Sequence, residues 1–214
     1  MNREGNMGSH FLATVSRMKY IERWALMRNA RQENLSEHSM DVAMIAHALC
    51  VIGNVRYGKQ LDAERAVLIA LYHDASEIIT GDMPTPVKYA NGVIRDAYKK
   101  VEADAVNRLL DQLPEDLRPV YAEILHEPAE EQSDEKAQEE AGKERELRRL
   151  VKAADKLSAL IKCIEEEAAG NTEFRTAAAS IRKKLEEMAA GSLEVRDFMQ
   201  EFLPSYGKTL DELL

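Results

Sequence analysis

Apolar residues recur at spacings of three and four along most of this 214-residue chain, while alternating runs of Val, Ile and Thr, the mark of half-buried strands, are missing. Thr14 to Ile21 sets Val15, Met18 and Ile21 on one helical face. From Leu35 onward, Met40, Ala43, Met44, Ile45, Ala46, Leu49 and Val51 predict a helix that is apolar over much of its surface and therefore central, with Ser36 as N-cap and Glu37 in the first turn. Leu61 to Ile79, capped by Asp62, repeats the period through Ala63, Val67, Ala70, Leu71 and Ile78. Val87 to Leu113 and Pro114 to about His126 predict two more helices. A stripe of Leu147, Leu150, Val151, Ala154, Leu157, Ser158, Ile161 and Ile164 runs to Gly170-Asn171, followed by helices over Phe174 to Met188 and Leu193 to Phe202. The pattern predicts an all-α fold, a single helical bundle.

Three stretches break the period. Glu22 to Asn34 is irregular and holds three arginines and the only tryptophan, which suits a substrate-facing loop, although Trp24 capping the core explains it as well. Thr80-Gly81-Asp82-Met83-Pro84-Thr85-Pro86 ends a helix by turn chemistry. Glu127 to Glu146 carries Glu130-Glu131, Asp134-Glu135 and Glu139-Glu140 with few apolar residues, and reads as a solvated, mobile or partly helical loop. Residues 1–9 are polar and read as a disordered N-terminus or a remnant ahead of a native start at Met7.

Composition narrows the classes. No Pro/Gly/Ser-rich linker divides the chain, so residues 10–214 are expected to form one domain. A net charge of -9 argues against a nucleic-acid polymer as partner, yet leaves room for a single nucleotide in a local cationic pocket. Cys50 and Cys163 lie in apolar helical patterns as free thiols, which fits a reducing cytoplasm. No window reads as a membrane span or a signal core, so a cytoplasmic protein with no membrane partner is expected.

Candidate chemistry gathers on the helix over Leu61 to Ile79, where Glu77 follows His73 by four residues and Asp74 by three. A histidine and two acids on an apolar helix call for a cation, although solvated surface groups account for the trio alone. His38 opens an earlier helix and Asp155 edges a later apolar stripe; His47 is expected to be a core residue and is left aside. Two imidazoles and two carboxylates, His38, His73, Asp74 and Asp155, suit one divalent ion, Co²⁺, Mn²⁺, Ni²⁺, Fe²⁺, Zn²⁺ or Mg²⁺, with positions open for water and a phosphate oxygen.

The H…HD…D arrangement of those residues resembles that of the HD-domain phosphohydrolases. More narrowly, Arg23-Trp24, Met27-Arg28-Asn29, Glu33-Asn34-Leu35-Ser36-Glu37-His38-Ser39, Tyr72-His73-Asp74-Ala75-Ser76-Glu77 and Thr80 to Tyr89 resemble the bacterial 5'-deoxynucleotidases. The acidic stretch over Glu127 to Glu146 is longer and more acidic than that family suggests. The resemblance implies an all-α HD fold, a homodimer, and hydrolysis of deoxyribonucleoside 5'-monophosphates by in-line attack of a metal-bound water. It implies metal ligation by His38, His73, Asp74 and Asp155, with His38, Asp74 and Asp155 also bordering substrate. Arg23 would orient the phosphate, Trp24 would pack on the deoxyribose, and Asp82, Met83, Pro84 and Thr85 would line the nucleotide pocket. Glu77 would move the proton, with Asp74 an alternative activator of the water. Two other functions compete: an HD hydrolase of another phosphate ester (ribonucleotide, polyphosphate or cyclic phosphodiester), and a helical dimer that binds nucleotide without turnover.

Overall fold

The computed structural model describes residues 8–88, 90–128 and 135–214, without the side chains of Thr85, Glu135 and Lys136. Residues 1–7, Tyr89, Glu130, Glu131 and Asp134, on which several expectations fall, lie outside the described residues. The helices are α1 (Phe11–Val15), α2 (Leu35–Tyr57), α3 (Ala63–Tyr72), α4 (Glu77–Thr80), α5 (Thr85–Lys88), α6 (Gly92–Leu110), α7 (Arg118–Leu125), α8 (Glu135–Ala168), α9 (Arg175–Ala189), α10 (Leu193–Glu201) and α11 (Leu210–Leu213). Among the described residues no strand occurs, only an isolated antiparallel bridge between Glu22 and Asn34. The all-α expectation holds.

Helix α2 is the axis of the molecule. Its N-cap is Asn34 and not Ser36: Asn34 Oδ1 accepts from the N–H groups of Ser36 (3.0 Å) and Glu37 (3.1 Å), while Glu37 Oε2 accepts from Asn34 N–H (3.3 Å). Gly58, at φ 64°, ends the helix in the left-handed region open to glycine. Val42, Ala43, Ala46, Leu49 and Cys50 pack into a core with Ala66 and Ala70 of α3, Leu150, Ala154, Leu157 and Leu160 of α8, and Leu185, Val195 and Phe198 of α9 and α10. By length and composition α2 alone among the described helices could cross a membrane, but 56% of its most apolar window is buried against those neighbours, as in a core helix. The opposite face leaves Met40, Met44, Val51 and Val55 exposed. His47, expected inside, lies on that exposed face.

The expected helix over Leu61 to Ile79 breaks in the middle. Asp62 caps α3 as foreseen, its Oδ1 accepting from Arg65 N–H at 2.8 Å. Past Tyr72 the bonds shorten to a three-residue step: Ala75 N–H to Tyr72 O, Glu77 N–H to Asp74 O, and Ile79 N–H to Ser76 O. The His73 ring itself donates from Nδ1 to the Ala70 carbonyl at 2.6 Å, competing with the backbone for a helical acceptor. The chemistry of this region therefore sits on a tight turn and not on the smooth face that the periodicity suggests.

Other boundaries also move. The expected helix from Val87 is divided into α5 and α6 where Asn91 starts a new helix, its Oδ1 capping Ile94 N–H at 2.9 Å. The early helix is α1 followed by a 3-10 turn, Ser16–Tyr20. From Glu135 the acidic stretch is the start of α8, not a loop; it is held by Glu139–Lys143 on its own surface and by Glu144 bound to Arg65 and Arg148. A second cluster, Phe11, Ala75, Leu109, Leu110 and Leu113 with Tyr72 and Tyr121, lies under the turn that carries His73 and Asp74.

Candidate active site

Three elements bring the predicted ligands together. His38 sits on the first turns of α2, fully buried; His73 and Asp74 follow α3; Asp155 lies midway along α8. His38 Nε2 is 3.2 Å from Asp155 Oδ1 and 3.6 Å from Asp74 Oδ2, and His73 Nε2 is 3.2 Å from Asp74 Oδ2. The two imidazole rings are 5.3 Å apart. His38, His73 and Asp74 present donor atoms within 4.8 Å of one another, a spacing suited to a metal ion. Asp155, the fourth expected ligand, is not part of this trio: its Oδ1 faces His38 Nε2 and its Oδ2 pairs with Lys156 at 2.8 Å.

Both imidazoles turn Nε2 toward the carboxylates. A carbonyl can only accept, so the 2.6 Å contact of His73 Nδ1 with Ala70 O puts the proton on Nδ1 and aims Nε2 at the carboxylates. His38 Nδ1 is likewise engaged, 3.1 Å from Ser158 Oγ. Both Nε2 atoms are buried with no hydrogen-bond partner. Burial alone would lower the His73 pKa, but Asp74, with Asp155 and the Ala70 carbonyl, carries it up to about 9; the pocket draws positive charge to this point. Burial and then Arg23 hold His38 down at about 4, a neutral imidazole at neutral pH. Buried, orphaned ring nitrogens facing two carboxylates fit a divalent ion of the borderline class.

The loop from Glu22 to Asn34 is folded over this centre. Arg23 N–H donates to Glu33 O at 2.9 Å, closing the loop on itself, and Arg23 Nη2 reaches to 3.9 Å from Asp155 Oδ1. Trp24 adopts φ 57°, a left-handed conformation costly for a bulky residue. It is held there by Asp82 Oδ2 accepting from its N–H (3.3 Å), by its carbonyl accepting from Met27 N–H and Asn29 Nδ2, and by an edge contact with Phe174 at 5.3 Å. Beneath the loop, buried Glu166 accepts from the N–H groups of Ala30 (2.7 Å) and Arg31 (3.1 Å) and from Asn171 Nδ2 (2.7 Å). Lys162 bonds Glu166 and the Arg31 carbonyl. Of the three arginines only Arg23 faces the site: Arg28 pairs outward with Glu173 and Arg31 with Glu37.

Glu77 opens α4 with its Oε2 buried and unpartnered. Burial first, then Asp74 and Asp82, push its carboxyl up to about 9, so it holds a proton at neutral pH. Lys88, the cation near it, is bonded to Glu102 at 2.6 Å and lies over the Tyr98 ring.

Residues 10–206 match the family model described as 5'-deoxynucleotidase YfbR-like. The chain belongs to the YfbR-like 5'-deoxynucleotidase family. A relative named 5'-deoxynucleotidase YfbR, from Escherichia coli (strain ATCC 8739), is 49% identical over 205 residues, 96% of each protein. An HD-domain phosphohydrolase from Listeria innocua superposes with a TM-score of 0.73 at 23% identity, over 92% of this chain and 88% of that one. The cyanophage S-2L HD phosphohydrolase DatZ, solved with dA and one catalytic Zn²⁺, superposes with a TM-score of 0.60 at 20% identity, over 92% of this chain and 96% of that one.

The structure brings His38, His73, Asp74, Asp155, Arg23, Trp24, Glu77 and Asp82 into one neighbourhood, linked by the contacts above and by the charges of Asp74 and Asp82 acting on Glu77. Met83 and Pro84 are half-buried in the following loop with no polar contact to the centre among the described bonds. The side chain of Thr85 lies outside the described residues, and His126 lines a different, open cavity between α3, α7 and α8. Sequence reasoning missed Ser158, Lys156 and the role of Glu33. Ser158 was readable as three residues beyond Asp155, hence on the same face of α8, but a serine within an apolar stripe carries no sign of a histidine 120 residues away.

Proposed function

We propose that the chain hydrolyses deoxyribonucleoside 5'-monophosphates to deoxynucleoside and phosphate, with residues 10–214 working as one domain. The observation that carries the reading is the meeting of two orphaned imidazole nitrogens with Asp74 and Asp155 beside Arg23, whose side chain is largely buried, and half-buried Trp24. His38, His73, Asp74 and Asp155 would hold one divalent ion. When bound, that ion supplies Lewis-acid activation of the phosphate and of the attacking water.

The chain's own groups do the rest. Arg23 offers a guanidinium to the phosphate oxygens. Protonated Glu77 faces the cavity and gives its proton to the departing 5'-oxygen. Trp24, fixed by its strained backbone, presents an apolar wall at the sugar. A 2'-hydroxyl driven against that wall loses its hydrogen bonds to water, which disfavours ribonucleotides. Asp82 holds the Trp24 backbone, and with Met83 and Pro84 it would border the nucleotide. Asp74, 3.2 Å from His73, would be the alternative group to polarise the water.

A homodimer and a cytoplasmic location belong to the same reading. The exposed stripe of Met40, Met44, Val51 and Val55 along one face of α2 supports the first, since a contiguous apolar helix face favours cover by a second copy. The test is phosphate release by metal-stripped protein from dAMP and AMP and from the other deoxynucleotides, with Mn²⁺, Co²⁺, Mg²⁺ and Zn²⁺ added singly. Metal-dependent release from deoxynucleotides in preference to AMP is expected; equal turnover of both overturns the sugar-wall argument, and no release with any ion overturns the enzymatic reading.

A further inference from the structure

Arg23 and Trp24 are adjacent in sequence, yet their side chains meet again on one atom. Glu33 Oε2 accepts from Arg23 Nη1 at 3.0 Å and from Trp24 Nε1 at 3.1 Å. Glu33 is itself only 8% exposed, and its other oxygen lies 3.8 Å from His38 Nδ1. A buried carboxylate thus stands behind the guanidinium, the indole and the back of a ligand imidazole at once.

The loop does not need this side chain to close. Arg23 N–H already binds Glu33 O, the bridge between Glu22 and Asn34 zips the same two segments, and Glu166 ties down Ala30 and Arg31. The backbone of Trp24 is fixed by Asp82, Met27 and Asn29. What remains free is rotation of the indole about its side-chain torsions and of the guanidinium at the end of a long stem. Among the described bonds, Glu33 is the one acceptor that indole N–H has, with Phe174 packed against the ring. A shared oxygen fixes the two groups relative to each other, because neither can turn without losing a charge-assisted bond.

We propose that Glu33 is a positioning residue that locks Arg23 and Trp24 into one rigid unit, so that phosphate binding and rejection of the 2'-hydroxyl are set by a single carboxylate. This rests on the reading that Arg23 takes the phosphate and Trp24 faces the sugar. The unit works as a ruler: the phosphate seated on Arg23 fixes how far the sugar lies from the indole, and a displaced indole leaves space for a hydroxyl. Discrimination then depends on the reach of the Glu33 side chain more than on its charge.

Two mild variants separate reach from charge. Glu33→Asp keeps the charge but, one methylene shorter, cannot hold both donors; Glu33→Gln keeps the reach and an oxygen but not the charge. Both are compared with wild type in the metal-loaded full-length protein, as kcat and KM for dAMP and AMP, with bound metal measured. Trp24 is the only tryptophan, so its emission and acrylamide quenching report the indole directly. Loss of one charged hydrogen bond predicts that Glu33→Asp raises KM for dAMP and lowers the dAMP/AMP ratio of kcat/KM by roughly tenfold, with quenching increased and metal content unchanged. Glu33→Gln is expected to keep that ratio within about threefold. The reverse order, or a Glu33→Asp variant whose ratio and quenching match wild type, overturns the role of Glu33. A wild-type enzyme without sugar preference, or a Trp24→Ala variant that keeps it, overturns the underlying reading of Trp24 instead.

Discussion

His73 Nδ1 donates to the carbonyl of Ala70, three residues back on its own chain, at 2.6 Å. That one bond ends α3, turns the imidazole inward and frees Nε2 for the centre beside Asp74. It makes local backbone geometry part of the candidate metal site.

If so, the His73 ring is needed for ion binding and not only for the fold. His73→Ala is expected to fold but to lose bound metal and at least about 100-fold of phosphatase activity, measured by metal analysis beside phosphate release. A variant with full activity would show that the centre is not catalytic.

Ser158 sets His38 from behind through the 3.1 Å contact at Nδ1. Ser158→Ala should weaken metal affinity by about tenfold with little change in fold, as read by titration of the stripped protein with Zn²⁺ or Co²⁺. Unchanged affinity would assign the contact to packing.

If Glu77 is the proton donor, its protonated form is the active one. With its carboxyl pushed up to about 9 by burial, Asp74 and Asp82, kcat should hold through neutral pH and fall as pH rises through that pKa. Glu77→Gln should lower kcat by about 10² to 10³ and erase the alkaline fall. A full alkaline limb in the variant would assign it to another group.

Glu166 lies beneath the loop that carries Arg23 and Trp24, and is 2% exposed. Its burial would raise the carboxyl, but Lys162, the Ala30 and Arg31 N–H groups and Asn171 outweigh this and hold it at about 2, against an ordinary 4.5. A depressed carboxyl adds stability above its unfolded pKa and loses it as pH falls toward the folded one. The contribution, about 3 kcal/mol, should therefore be whole at pH 6 and fade between roughly pH 4.5 and 2. Denaturant midpoints of wild type and Glu166→Gln should differ clearly at neutral pH and converge in acid; parallel curves would refute it.

Gly53 shows a second constraint on α2. A Cβ there would stand 2.7 Å from Leu61 Cδ1 and 2.9 Å from Oε1 of fully buried Glu194. Although alanine favours a helix, Gly53→Ala should lower stability by about 1–3 kcal/mol, seen as a lower melting temperature.

Much of this was open to reading in one dimension. The spacing of Leu147 to Ile164 marked the core face of α8, and the step from Asp62 marked the start of α3, because period and capping are local properties of the chain. The residues of the centre were named from His38, His73-Asp74 and Asp155. Where the sequence misled, a tertiary or side-chain bond had overridden propensity. The helix through His73 broke at a ring-to-carbonyl bond. Asn34 displaced Ser36 as cap because the chain enters α2 extended after the bridge to Glu22. The acidic residues before Leu147 became helical where Arg65 and Arg148 neutralise Glu144.

The order and faces of the helices, and the kinds of atoms offered to a cation, follow from the sequence by itself, since each depends on neighbours within a turn or two. Only the tertiary structure decided that the free nitrogens of His38 and His73 face Asp74 and Asp155, that Arg23 alone of three arginines turns inward, and that Glu33 joins it to Trp24. Those relations span elements far apart in the chain. Their directions are set by which buried polar atom finds its partner once α2, α3 and α8 have packed and excluded water.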